Sequence, residues 1–163
     1  MTIALVPYAT LTRTQRQALL DIQVTEAQLA FSGDIESALY TLLNRPHRDM
    51  RGFALLKSED PCGFLLLRHA TLLPDWADRD AATVHALQVD HRLQRQGLGR
   101  ACLEALPRMA RLTWPGIKQL QLSVDTDNHA AMSAYRASGW VDSGEAYRGR
   151  VGFERRMTFV LGE

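Results

Sequence analysis

The sequence predicts an α+β domain in which a mixed β-sheet is flanked by helices. Apolar residues recur at two spacings along the 163-residue chain, every second residue in some segments and every third or fourth in others. These segments follow one another in the order β-α-α-β-β-β-α-β-α-β-β, which combines hairpins with helical connections. No repeat, linker or low-complexity segment divides the chain, so we expect a single domain over residues 1–163.

The N-terminal half predicts one strand, two helices and a hairpin. The predicted segments are a strand at residues 2–6, helices at 12–23 and 34–44, and hairpin strands at 51–57 and 62–69. Pro7 stops the first strand, and Asn44-Arg45-Pro46 ends the second helix. Thr12 or Thr14 can cap the first helix, and Ser32 or Asp34 the second.

The C-terminal half predicts a central strand followed by alternating elements. The predicted segments are strands at residues 83–89, 118–124, 140–147 and 153–160, with helices at 97–112 and 128–138. Strict alternation in the central strand would place His85, Leu87 and Val89 on one face. Pro107 deletes one backbone hydrogen bond of its helix, so we expect a kink or an early end there.

The turn after the central strand has the composition of an anion site. A helix begins at Gly97 and Gly99, and its first N–H groups have no partner within the helix. Glycine allows a ligand to approach the backbone closely, and the positive helix end favours a phosphate. Arg92, Arg95 and Arg100 add positive charge. We therefore expect a phosphate or pyrophosphate group to bind here.

Two common phosphate-binding motifs are absent from this turn. A P-loop has Lys-Ser/Thr after its last glycine, whereas Gly99 is followed by Arg100-Ala101. A dinucleotide-binding fingerprint has a third Gly or Ala and an acidic residue about 20 positions later. Cys102 occupies the third position, and residues 111–121 contain no carboxylate.

What remains is Gln94-x-x-Gly97-x-Gly99 directly after a strand, which resembles the coenzyme A loop of the GNAT superfamily of N-acetyltransferases. A second block is similar to the later motif of that superfamily. It consists of Leu122-Ser123-Val124, Asn128, Tyr135 and Gly139-Trp140. One helix and one strand separate the two blocks, as in the superfamily.

The resemblance implies a GNAT (acyl-CoA N-acyltransferase) fold with a mostly antiparallel sheet, a bulge in the central strand and splayed central strands. It implies acetyl-CoA as co-substrate. The implied binding residues are Leu87, Val89, Gln94, Arg95, Gln96, Gly97, Leu98, Gly99, Arg100 and Asn128. The loop departs from the usual pattern at His91, Arg95 and Gln96, where proline, glycine and a basic residue are common.

Acyl transfer to an amine requires that the amine lose a proton and that the departing thiolate gain one. An alkyl amine of pKa about 10.4 is almost entirely protonated at pH 7, and reaching its neutral form costs about 4.6 kcal/mol. Tyr135 occupies the position of the superfamily's tyrosine and is the predicted acid. His85 is the predicted base, because histidine accepts protons near neutral pH and some relatives carry Glu or His there. A water relay remains the alternative.

The acceptor is less well defined than the donor. The leading prediction is that the acceptor is the primary amine of a small molecule, which attacks directly in a ternary complex. One alternative is acetylation of protein N-termini or lysines. The other is a catalytically silent acyl-CoA-binding module. The resemblance places the helix-break-helix region over the acceptor. Its candidate contacts are Glu26, Phe31, Asp34 and Tyr40. Residues 23–31 faintly resemble polyamine acetyltransferases of the spermine/spermidine type.

Composition argues against several other partners. The formal net charge of +1 gives no reason to expect nucleic acid or an anionic membrane as a partner. Cys62 and Cys102 lie in apolar surroundings without the spacing of a metal site, so we expect buried free thiols and no metal. No signal peptide or membrane-spanning segment is evident, which predicts a cytoplasmic protein. Dimers are frequent in the superfamily, so a homodimer is among the expected states.

Overall fold

The computed structural model describes residues 2–26, 34–93, 96–148 and 153–162. Its strands are β1 (Ile3–Pro7), β2 (Met50–Lys57), β3 (Asp60–His69), β4 (Ala81–Val89), β5 (Gln119–Asp125), β6 (Val141–Arg148) and β7 (Phe153–Val160). The α-helices are α1 (Arg13–Leu19), α2 (Ile35–Asn44), α3 (Leu98–Thr113) and α4 (His129–Ala137). The α+β class and the predicted order of elements are confirmed.

All seven strands form one sheet in the order β1-β2-β3-β4-β5-β7-β6. Neighbouring strands are antiparallel except β4 and β5, which are parallel and are connected through α3. The sheet is therefore mixed and mostly antiparallel, as the resemblance implied.

The two faces of the sheet carry different helices. On one face, here called the α3 face, Leu65, Leu67 and Val84 pack with Leu106 of α3 and Met132 of α4. On the opposite α1 face, the apolar side chains of β2 and β3 pack with those of α1 and α2. That cluster includes Ala54, Leu56, Phe64, Leu66, Leu19, Ile35, Ala38 and Leu39. The alternation of strand side chains divides the core in this way.

Local sequence signals fix the helix ends. Thr12 and Gln15 form a capping box at α1, and the Asp34 carboxylate accepts a hydrogen bond of 2.7 Å from Ser37 N at the start of α2. Of the kink or early end expected at Pro107, the early end is wrong, because α3 continues to Thr113. Since the apolar face of α3 is packed on the sheet on both sides of Pro107, that burial outweighs one missing hydrogen bond. No helix among the described residues is long and apolar enough to cross a bilayer.

Candidate active site

A bulge in β4 shapes the centre of the site. The register passes from Leu66↔His85 to Phe64↔Gln88, so β4 contains one more residue than β3 in this interval. Ala86 takes up the irregularity with a left-handed backbone, φ 54°. A bulge of this kind shifts the alternation of side chains that follow it. The bulge that the resemblance implied is therefore confirmed.

The shift in alternation separates His85 from the two residues beyond it. His85 lies opposite Leu66 on the α1 face, whereas Leu87 and Val89 pack against the core of the α3 face. The prediction that these three side chains share one face is wrong. The strict alternation assumed from the sequence is broken by the extra residue at Ala86.

Past Thr83, just before the bulge, β4 and β5 separate. They pair only from Ala81↔Gln119 to Thr83↔Gln121, although both strands continue well past these residues. The backbone groups on the β5 side of residues 84–89 therefore receive no partner from β5. This confirms the splayed central strands and leaves a gap beside Leu87 and Val89, where an extended ligand can pair with β4 as another strand would.

The amino end of α3 follows directly after this gap. Gly97 has φ 77°, and Ala101 N donates to Gly97 O over 2.9 Å in the first turn. A Cβ atom added to Gly99 would meet no atom of the described residues within 4 Å. Folding therefore does not require glycine at position 99, whereas the close approach of a ligand would. Leu98 is buried in the core and holds this turn in place.

The remaining predicted loop residues differ in their surroundings. Gln94 and Arg95 lie outside the described residues. Gln96 is exposed and its side-chain oxygen accepts a hydrogen bond from Lys57 Nζ of β2. Arg100 forms an exposed i,i+4 ion pair of 2.9 Å with Glu104. Lys57 thus brings a positive charge to the loop where Gln96 lacks one, although sequence reasoning did not identify it.

His85 is held between polar neighbours of the α1 face. Its Nε2 atom lies 2.7 Å from Thr83 Oγ1, within hydrogen-bonding distance. Burial, with a contribution from the positive charge of Arg68, lowers the pKa of His85 to about 3. The imidazole is therefore neutral at pH 7 and can accept a hydrogen bond.

Tyr135 lies on α4 and packs against the core of the α3 face. Its ring is tilted against that of Trp140, with centroids 5.9 Å apart. Burial, followed by the effect of the nearby Cys102 thiol, raises the pKa of the Tyr135 hydroxyl. The phenol therefore keeps its proton at neutral pH, as a proton donor must.

Asn128 has a structural task in the protein itself. Its side-chain oxygen accepts a hydrogen bond from Ala131 N over 3.3 Å and caps α4. This bond satisfies one of the free N–H groups at the helix start. Asn128 and Tyr135 are thus the N-cap and a half-buried residue of one helix, which begins just after the splayed end of β5.

The structure describes some of the predicted acceptor contacts but not all of them. The Asp34 carboxylate caps α2, and Tyr40 is 68% exposed on the outer surface of that helix. Phe31 lies outside the described residues.

Cys62 and Cys102 are buried free thiols, as predicted. Among the described residues, no group of three His, Cys, Asp or Glu side chains is arranged to hold a metal ion.

Sequence reasoning missed a polar cluster on the α1 face, across the gap from β4. Asp125 at the end of β5 lies directly opposite Glu154 of β7, and Ser123 precedes it on the same face. The signal was present as alternating polar residues in both strands, but their register could not be read from the sequence. Gln88 was missed for the same reason; it is 3% exposed, and neither atom of its amide has a partner among the described residues.

Comparisons with known proteins agree with this geometry. The model of the Acetyltransferase (GNAT) family matches residues 17–140. The mycothiol acetyltransferase of Kocuria rhizophila is 38% identical over 94 residues, which cover 56% of this chain and 30% of that enzyme. The chain thus spans less than a third of the length of this curated relative.

Solved structures share the fold over almost the whole chain. A spermidine N-acetyltransferase from Vibrio cholerae in complex with coenzyme A and spermine has a TM-score of 0.65 and 16% identity, covering 98% of this chain and 95% of its own. An aminoglycoside acetyltransferase, AAC(6')-Ib, in complex with coenzyme A has a TM-score of 0.74 and 16% identity, with the same coverage. By its family match, its splayed sheet and its glycine turn, this chain belongs to the GNAT family of acetyltransferases.

Proposed function

We propose that the protein transfers the acetyl group of acetyl-CoA to the primary amine of a small molecule, by direct attack in a ternary complex. The observation that carries the donor assignment is the gap between β4 and β5, which leads to the glycine turn of α3. A pantetheine arm can pair with the free backbone edge of β4, and a pyrophosphate can accept hydrogen bonds at the helix start. Acetyl-CoA would supply the activated acyl group.

Each part of the donor has a matching part of the chain. Leu87 and Val89 would flank the pantetheine, and the backbone N–H groups of residues 98–100 would hold the pyrophosphate. Lys57 and Gln96 would border the phosphates, and Gln94 and Arg95 belong to the same proposed loop. A backbone N–H of β4 near the bulge is free on the β5 side and would stabilise the negative charge that develops on the acyl oxygen.

We assign to Tyr135 the donation of a proton to the leaving thiolate. A phenol with a raised pKa is a weaker acid than a free one, so donation to a thiolate of pKa about 8.5 is uphill, but the hydroxyl is protonated when the thiolate departs. Its fixed packing against Trp140 limits the motion of the ring. We therefore propose Tyr135 as general acid.

The role of His85 is set by its low pKa. Transfer of a proton from an ammonium of pKa about 10.4 to an imidazole of pKa about 3 is uphill by roughly 10 kcal/mol, whereas release to water at pH 7 costs about 4.6 kcal/mol. His85 is therefore a poor final acceptor in the surroundings seen here. We propose that it orients the amine, with Thr83 as its partner, and that the proton passes on to water.

Coenzyme release in the presence of a panel of amines tests the activity. The panel comprises aliphatic amines, amino acids, aminoglycosides and short peptides. Calorimetric titration with coenzyme A tests the donor site, where Gly99→Val should weaken binding by about tenfold or more without loss of stability. Unchanged affinity in Gly99→Val would disprove the loop assignment. Binding of acetyl-CoA without release for any acceptor would favour a silent acyl-CoA-binding module instead.

A further inference from the structure

Asp125 and Glu154 bring two carboxylates together on the α1 face of β5 and β7. They are directly opposite residues of antiparallel strands, which places their Cβ atoms about 4.5–5.5 Å apart on one face. Like charges at such positions repel each other and reduce stability. The arrangement therefore calls for a compensating positive charge.

The described part of the protein does not provide that charge. Neither carboxylate takes part in an ion pair among the described residues. Arg156 lies on the same face of β7, but its guanidinium donates to the Ser143 side chain and to the Ser143 and Trp76 carbonyl oxygens and pairs with Asp78. Arg155 is directed to the opposite face, where it binds Asp142.

Asp125 is also buried, which makes the missing positive partner more costly. Its side chain is 4% exposed; Oδ1 accepts from Asp127 N over 2.8 Å, but Oδ2 is buried without a partner among the described residues. A buried carboxylate oxygen without a hydrogen-bond donor is costly, so we expect a donor from outside the described residues, and a bound ligand can supply it. Burial and the charge of Asp125 both raise the pKa of Glu154, which places the two carboxylates within electrostatic reach of each other.

The pair lies beside the proposed transfer site. Thr83 and Gln121 form the last rung between β4 and β5, and both strands then continue along the gap toward Gln88 and Asp125. A molecule that presents an amine to His85 on the α1 face can therefore extend along β5 to Asp125 and Glu154. The two ends of such a molecule would contact different polar groups.

We propose that Asp125 and Glu154 bind a positively charged group of the acceptor other than the amine that is acetylated. This inference rests on the proposed function and adds a substrate class to it, namely amines with a second cationic group. The bound charge must be a second one, because carboxylates stabilise an ammonium and would oppose the loss of its proton. The reacting nitrogen, in contrast, must become neutral.

The test compares a straight-chain aliphatic diamine with the monoamine of equal chain length, in wild type and in Glu154→Gln and Asp125→Asn. Calorimetry in the presence of coenzyme A measures binding, and coenzyme release gives KM and kcat. Wild type should bind the diamine at least tenfold more tightly than the monoamine, and each substitution should abolish most of that difference. Monoamine binding and coenzyme A affinity should change less than twofold.

Glu145→Gln is the matched control, since it removes the same charge from β6 opposite Arg155, on the other face of the β6–β7 hairpin. It should leave the preference for the diamine intact. Equal binding of both amines by wild type, or a preference that survives in both site variants, would overturn the inference. Either result leaves the proposed function standing, because that function is judged by coenzyme A binding and by release with any amine.

Thermal unfolding separates recognition from a structural role. Removal of one of two repelling carboxylates should leave Tm unchanged or raise it at neutral pH. A lowered Tm in both variants, with the preference for the diamine retained, would instead show that the pair stabilises the fold.

Discussion

His85 and Leu87 lie on opposite faces of the sheet, because Ala86 between them adopts a left-handed backbone within the β4 bulge. One extra residue thus directs a polar side chain toward the face of α1 and an apolar one toward the core beneath α3. The same strand can therefore serve the acceptor through His85 and the donor through its free edge beside Leu87. The acceptor side at His85 and the donor side beside Leu87 therefore meet at the β4 bulge.

The backbone at Ala86 predicts a specific response to substitution. A left-handed conformation costs an L-residue roughly 1–2 kcal/mol, and β-branching adds to this cost. Ala86→Val should lower the free energy of unfolding by about 2 kcal/mol, whereas Ala86→Gly should stay within about 0.5 kcal/mol of wild type because its greater unfolded-state entropy offsets the relief of strain. Urea denaturation of the two variants measures this. Equal stability of both would show that the bulge is absent in solution.

The low pKa of His85 predicts loss of stability in acid. The folded-state pKa of about 3 lies below the ordinary value of 6.5, so the unfolded chain binds a proton that the folded protein does not. The corresponding stability is complete above pH 6.5 and is lost as the pH falls toward 3. His85→Gln should therefore show a shallower decline of unfolding free energy between pH 6.5 and pH 4, by at most about 1.4 kcal/mol per pH unit.

His129→Gln provides the control for that measurement, since His129 is exposed at the start of α4. The same acid dependence in wild type and in His85→Gln would contradict the burial of the imidazole. Urea melts followed by circular dichroism at several pH values are sufficient, provided that the transition remains two-state.

Sequence periodicity was sufficient for the order of the elements and for the turn at Gly97 and Gly99, because those signals are local. Periodicity failed at the β4 bulge, where one extra residue breaks the alternation of side chains. Nothing in the Val84 to Gln88 segment distinguishes a bulged strand from a regular one, since alanine at the bulge has no special propensity for a positive φ. The shared face of His85 and Leu87 was therefore predicted wrongly, although the resemblance implied the bulge.

The acidic pair of Asp125 and Glu154 could not be predicted for a different reason. The two residues are far apart in sequence, and they meet only because β7 inserts between β5 and β6 with a particular register. Both strands were predicted, but their pairing depends on tertiary packing that one sequence does not reveal. Lys57 approaches Gln96 through a similar long-range arrangement of β2 and the loop.

The two glycines at α3 should differ in what they contribute. Gly97 has φ 77° and needs glycine for its backbone, whereas Gly99 has no such restriction. Gly97→Ala should lower the free energy of unfolding by about 1 kcal/mol, while Gly99→Ala should retain or slightly raise it. Chemical denaturation of both variants checks this. A larger loss for Gly99→Ala than for Gly97→Ala would contradict the loop conformation.

The cap at Asn128 predicts a stability effect that is separate from ligand binding. Asn128→Ala removes the acceptor for Ala131 N and should lower the free energy of unfolding by about 1 kcal/mol. Asn128→Asp keeps a capping oxygen and should restore most of that loss. Coenzyme A affinity in these two variants then reports any direct contact, since a residue that only caps the helix would leave affinity unchanged in Asn128→Asp.

Tyr135 gives the sharpest test of the proposed chemistry, because its ring and its hydroxyl can be separated. Tyr135→Phe keeps the contact with Trp140 and the packing against the core, but it removes the proton that would pass to the thiolate. We expect kcat to fall by about 10²-fold, while coenzyme A affinity and Tm stay near wild type. Steady-state kinetics at saturating substrate, calorimetry and thermal unfolding measure the three quantities on one variant.

Tyr8→Phe is the control, because Tyr8 follows the edge strand β1, which β2 and β3 separate from β4, and the same substitution there should leave kcat unchanged. Retained turnover in Tyr135→Phe would remove the hydroxyl from the mechanism, and water would then have to protonate the thiolate. A fall in Tm with normal kcat would make Tyr135 a core residue only. The raised pKa of the Tyr135 hydroxyl keeps its proton in place across the neutral range, so loss of the hydroxyl should reduce kcat by a similar factor at every pH at which the enzyme is stable.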